Sequence, residues 1–133
     1  MKVRISRSLL EQIMSLAAAD TQEVCGLLLG ENGAIHNIRP AANVADDPTR
    51  HFELDPTTLI AAHRAARAGG PAILGHYHSH PSGHAQPSAT DAAHAMPDGS
   101  LWLIIGDGVA RLWVAEPDAG GEVRFTGVPL DIM

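Results

Sequence analysis

The chain holds a single cysteine, Cys25, in 133 residues. That excludes an internal disulfide and any zinc site built from several thiolates, and it suits a reducing compartment. No run of Lys or Arg occurs and the formal charge is -6, so the electrostatic footprint of a nucleic-acid binder is missing. No apolar stretch approaches the roughly 20 residues needed to cross a bilayer. The N-terminus, MKVRISRSLLEQIMSLAAAD, starts basic, but Glu11 and Gln12 interrupt the apolar run that an export signal requires. Internal repeats and low-complexity segments are absent as well. What remains, 45% hydrophobic and 18% charged residues, is ordinary for a globular protein and enough for one domain with its own core. The expectation is a single soluble, cytoplasmic domain over residues 1–133, with no membrane or nucleic-acid partner.

Apolar residues from Leu9 to Ala17 recur at helical spacing, with Ser8 and Glu11 as a capping box. VCGLLLG and AIHNI flank Glu31-Asn32-Gly33, a hairpin in which Asn-Gly supplies two positive φ angles. Residues 40–50 read as loop and HFEL (51–54) as a short strand. Asp55-Pro56 opens a second helix and Gly69-Gly70 closes it. PAILGHYHSH is a strand ended by Pro81-Ser82-Gly83, and Pro87-Ser88 starts a third helix broken near Pro97. LWLII, VARLWV and EVRF close the chain as an antiparallel meander. A short strand at Val3 to Ile5 completes an α/β fold, a curved mixed sheet flanked by helices.

The segment HYHSHPSGHAQPSATD (76–91) carries the chemistry. Residues two apart on a strand share a face with Cα atoms about 6.6 Å apart, so His78 and His80 can share one zinc ion. His76 faces the same way but lies about 13 Å from His80, too far for all three to ligate. Asp91 can complete the set if the chain folds back after Pro81-Ser82-Gly83. Taken alone, SATD favours a helix cap, with Ser88 at the N-cap and Asp91 facing back, and the two uses of Asp91 are expected to exclude each other. Three protein ligands leave a fourth position for water, the mark of a catalytic zinc. A carboxylate outside that set must then move protons. Glu23 and Glu53 are both candidates, and the residues alone do not choose between them.

Glu23 followed by Cys25-Gly26-Leu27, then His78-Ser79-His80-Pro81 and, at the family's spacing, Ser88-x-x-Asp91, resembles the JAMM (Jab/MPN) metallopeptidase family in its free-standing bacterial form. The resemblance implies a cytidine-deaminase-like fold, Zn2+ held by His78, His80 and Asp91, Glu23 as general acid/base and Ser88 as stabiliser of the oxyanion. It also implies cleavage after the C-terminal Gly-Gly of a ubiquitin-like protein, for small bacterial members a sulfur carrier. The short loop from Ser82 to Pro87 and the lone cysteine lack the insertions of chain-specific eukaryotic members. Ser79 stands where RadC-type relatives carry asparagine.

The remaining candidates have plainer readings. Cys25 is a small buried hydrophobe, Tyr77 and Ser79 point away from the ligands as packing or support, and His84 is surface. Trp102 and Trp113 belong to the core, and His36, His51, His63 and His94 have no assigned role. Two other functions compete: a non-catalytic binding module for a ubiquitin-like partner, and a zinc hydrolase of a small amide.

Overall fold

In the computed structural model, which describes residues 1–133, the chain runs β1 (Val3–Ile5), α1 (Arg7–Ala18), β2 (Cys25–Glu31), β3 (Ala34–Ala41), α2 (Pro56–Arg67), β4 (Ala72–Ser79), α3 (Ala89–His94), β5 (Leu101–Gly106), β6 (Val109–Pro117), β7 (Val123–Val128) and β8 (Leu130–Ile132). The strands form one mixed sheet in the order β7-β6-β5-β4-β2-β3-β1-β8. The expected α/β fold with helices against a mixed sheet is the observed one. No helix is long and apolar enough to cross a membrane.

Strand alternation divides the apolar residues between two faces. On one face Leu101, Leu103 and Ile105 of β5 join Tyr77, Leu28 and Ile35 in the main core, closed by Leu9 and Ile13 of α1. On the other face Leu27 and Leu29 pack against Ala62 of α2, while Trp102, Ile104 and Ala115 pack with Phe52 and Phe125. His76 and His78 lie on this second face, since β4 pairs His76 with Leu27 and Trp102, and His78 with Cys25 and Ile104. The histidines therefore emerge between the α2 packing and the aromatic cluster, at the end of a central strand.

Several local expectations change. Helix α1 starts earlier than the Ser8–Glu11 capping box: β1 runs almost directly into it, and the extended Ser6 is the N-cap, its Oγ accepting the N–H of Leu9 at 3.1 Å. The Asn32-Gly33 turn has a positive φ only at Gly33; two consecutive positive values occur instead at Asp107-Gly108. HFEL is not a strand. Its backbone is bonded in part to a side chain, with Asn43 Oδ1 accepting the N–H of Glu53 at 3.1 Å and Asn43 Nδ2 donating to His51 O at 3.0 Å, and in part to main chain, with Val44 N donating to Glu53 O at 2.9 Å; one isolated bridge remains between Asn43 and Leu54. Finally, the chain ends in β8, which pairs parallel with β1 and is too short to be read from three alternating residues. Helix α2 keeps its expected ends, with Asp55 Oδ1 accepting the N–H of Thr57 at 3.1 Å and Gly69 at φ 96°.

Candidate metal centre

Three donor atoms, from β4, from the residue that follows it and from α3, meet at the end of β4. His78 Nε2 and His80 Nε2 are 3.1 Å apart, and Asp91 Oδ2 lies 3.2 Å from the first and 3.1 Å from the second. The strand period puts both rings on one face; the turn after His80 and the first turn of α3 deliver the carboxylate. His78 is fully buried and Asp91 nearly so. Donors 2.0–2.1 Å from a tetrahedral zinc are about 3.3 Å from one another, so the edges of this triangle fit such an ion without rearrangement. The donor set, two imidazoles and a carboxylate, is also one that zinc takes.

Asp91 does not choose between ligand and cap. Its Oδ2 accepts the N–H of Ser88 at 2.9 Å while Ser88 Oγ accepts the N–H of Asp91 at 3.0 Å, a complete capping box. The oxygen that closes the box is the oxygen that faces both histidines. The geometry thus leaves room for both uses, because a carboxylate oxygen can accept from a backbone N–H along one direction and face the rings along another. Burial alone works against the Asp91 charge, yet its bonds to His78, His80 and Ser88 hold the carboxyl well below the ordinary carboxylate range. His78 is pushed down by burial; for His80, burial is outweighed by Asp91 and by the His84 carbonyl, and its pKa rises.

Glu23 stands next to this triangle and Glu53 does not. A carboxylate oxygen of Glu23 and ring nitrogens of His78 and His80 all lie within 4.8 Å of one another. Glu23 therefore competes with Asp91 as third ligand on proximity alone. Asp91 is the better fit, because its distances match a coordination edge, whereas Glu23 is buried with Oε1 free of any hydrogen bond. Burial pushes the Glu23 carboxyl up to about 7, His80 opposing and Asp91 adding to the rise. Glu53 is exposed and touches the site through neither oxygen in any hydrogen bond of the structure.

The surroundings hold further residues that support the site, of which sequence reasoning placed only Ser79, as packing or support. Ser79 Oγ, on the far side of β4 from the rings, accepts the N–H of Val24 at 2.9 Å. Asn43 Nδ2 donates to Glu23 O at 2.9 Å, and Glu23 N donates to Pro48 O at 2.7 Å. His76, behind His78, puts Nε2 3.1 Å from His78 Nδ1 and stands beside the rings of Phe52 and Trp102. Only the i, i+2 spacing of His76 to His78 was visible in sequence. The remaining candidates lie where their plainer readings put them: Cys25 and Tyr77 are buried, Trp102 packs on Phe125, and His84 is exposed against Asp107. The rings of His51 and His94, tilted by 35° with centroids 4.7 Å apart, line a cavity of about 1010 Å³ that also reaches Asp91, Phe52 and Trp102. A second cavity of about 320 Å³ reaches Glu23, His80 and Ser88, and Arg50 borders both.

The sequence matches, over residues 6–116, the family described as prokaryotic homologs of the JAB domain. A desampylase of Haloferax volcanii is 38% identical over 100 residues, which cover 73% of this chain and 72% of that one. A Thermus thermophilus protein described as a probable TtuB-protein conjugate cleaving protease is 34% identical over 122 residues, covering 91% and 80%. A solution structure of a Desulfitobacterium hafniense protein superposes with a TM-score of 0.81 at 26% identity, over 100% of this chain and 93% of the other.

Proposed function

The chain belongs to the family of prokaryotic JAB-domain homologs, and on that premise we propose that it is a zinc-dependent peptidase or isopeptidase. Its substrate in this reading is a ubiquitin-like sulfur-carrier protein, cut after the C-terminal Gly-Gly. The observation that carries the reading is the convergence of His78, His80 and Asp91 beside a buried carboxylate with an unpartnered oxygen. The names of the two relatives, a desampylase and a cleaving protease for TtuB conjugates, support the choice of a protein conjugate over a small amide.

His78, His80 and Asp91 are the residues that would hold Zn2+. When bound, the ion supplies a Lewis acid that polarises the scissile carbonyl and makes water nucleophilic at neutral pH. Glu23 acts as the proton carrier: Oε1 takes a proton from the attacking water as the C–O bond forms and returns it to the amide nitrogen as the C–N bond breaks. A carboxyl raised to about 7 suits both halves of that task, since it can accept and release a proton near neutral pH. Ser88 is exposed at the mouth, and because its Oγ accepts the Asp91 N–H, its own hydrogen is free to donate to the carbonyl oxygen where negative charge develops.

The test is mass spectrometry of ubiquitin-like carriers extended past Gly-Gly, incubated with the zinc-loaded protein. The expected product is a carrier ending at Gly-Gly. A carrier that binds and stays intact would make the chain a scaffold, and cleavage of small amides alone would remove the carrier from the reading.

A further inference from the structure

We infer that His76 is a positioning residue for the metal centre: its Nε2 accepts the Nδ1–H of His78 and so turns the lone pair of His78 Nε2 toward the ion. The inference rests on the metal-site reading above and adds a residue to it.

A neutral imidazole carries its proton on one nitrogen and a lone pair on the other. Nε2 of His78 faces His80 and Asp91, so for it to bind a cation the proton must sit on Nδ1, and a buried N–H needs an acceptor. His80 meets the same demand with main chain, its Nδ1 lying 2.7 Å from the carbonyl oxygen of His84. His78 meets it with a second imidazole: His76 Nε2 is 3.1 Å from His78 Nδ1, and no other group in the structure hydrogen-bonds that nitrogen. The two rings are nearly parallel, at 21° and 5.2 Å between centroids. Phe52 and Trp102 wall the pair, with centroids 4.8 and 4.4 Å from His76. His78 itself is 0% exposed, so with His76 in place its Nδ1 has no water to turn to. The strand period that gives His78 and His80 a common face is thus used once more, one step back, to hold the first of them in the right tautomer.

Two variants separate acceptor from filler. The side-chain oxygen of Gln can occupy the place of the His Nε2, whereas Leu fills the space and accepts nothing. Zinc affinity is measured by competition with a chelator, on variants whose folding is checked by amide NMR. Expected are a loss of about 10- to 100-fold for His76→Leu, the usual cost of removing an outer hydrogen-bond partner, and near wild-type affinity for His76→Gln. In the zinc-loaded wild type, a 15N–15N coupling across the hydrogen bond should link His78 Nδ1 to His76 Nε2. Equal affinity of His76→Leu and wild type, equal losses in both variants, or no coupling would each overturn the role. A wild-type protein that takes up no zinc would instead overturn the metal reading itself, and this one with it.

Discussion

Ser79 and Val24, 55 residues apart, bond twice: Ser79 N donates to Val24 O at 3.0 Å, and Val24 N donates to Ser79 Oγ at 2.9 Å. The residue between His78 and His80 thereby holds the neighbour of Glu23. Replacing Ser79 by Ala leaves the Val24 N–H without a partner in a part-buried position, at a cost of about 1–3 kcal/mol. Urea unfolding should show that loss, and turnover should fall further than stability explains, because Glu23 is no longer held at its distance from the histidines. An unchanged midpoint and rate would remove Ser79 from the support of the site.

Asp91 serves the cap through an oxygen and, in the proposed site, would serve the ion through its charge, and substitution can part the two. In Asp91→Asn the amide oxygen still accepts the Ser88 N–H while the charge facing the histidines is gone, so the thermal midpoint should fall less than in Asp91→Ala. Zinc affinity should drop by more than the roughly 10- to 100-fold typical of an outer partner. Asp91→Ala should lose both, the missing cap alone costing about 1 kcal/mol. Full zinc binding by the Asn variant would show that Asp91 is a cap only.

Glu23→Gln should keep zinc and lower turnover by about 10²–10⁴-fold, the usual worth of a positioned acid/base. The same variant reads the raised pKa in the metal-free protein. A carboxyl raised from 4.5 to about 7 favours the folded state fully below pH 4.5, and that contribution disappears as pH rises through 7. Metal-free wild type should therefore lose about 3 kcal/mol relative to Glu23→Gln between those limits, measured by denaturant unfolding in chelator. A difference that is flat with pH would contradict the burial of Glu23.

Gly26 and Tyr77 are matched across the β2–β4 pair. A Cβ on residue 26 would fall 2.4 Å from the Tyr77 hydroxyl oxygen, so Gly26→Ala should destabilise by about 1–3 kcal/mol through overpacking. The hydroxyl itself is buried with no hydrogen-bond partner, so Tyr77→Phe should be neutral or stabilising in thermal unfolding. A large loss for Tyr77→Phe would reveal a partner for that oxygen.

What the sequence discloses of this site follows from short, rigid rules. His78 and His80 are readable because a strand repeats every two residues, and Asp55-Pro56 because an N-cap followed by proline has few other uses. Asp91 is readable as a cap and as a ligand, though not as both, since single residues are weighed one role at a time. Choosing Glu23 over Glu53 took the family resemblance, because burial of a carboxylate depends on where β2 meets β4. The roles of Asn43 and His76 escape notice for a related reason, and Ser79 is readable as support but its partner is not. Asn43 acts by folding a loop around its amide, with bonds to Glu23, His51 and Glu53, and no local pattern signals that. Ser79 needs a partner 55 residues away, and His76 is dismissed by its distance from His80 when its partner is His78.

The most direct test is the amount of zinc retained per chain, by elemental analysis after equilibration with the metal and removal of the excess. The coordination proposed here predicts one ion per wild-type chain and none when His78 or His80 is replaced by Ala. Wild-type protein that retains no stoichiometric zinc, or alanine variants that retain it undiminished, would contradict it.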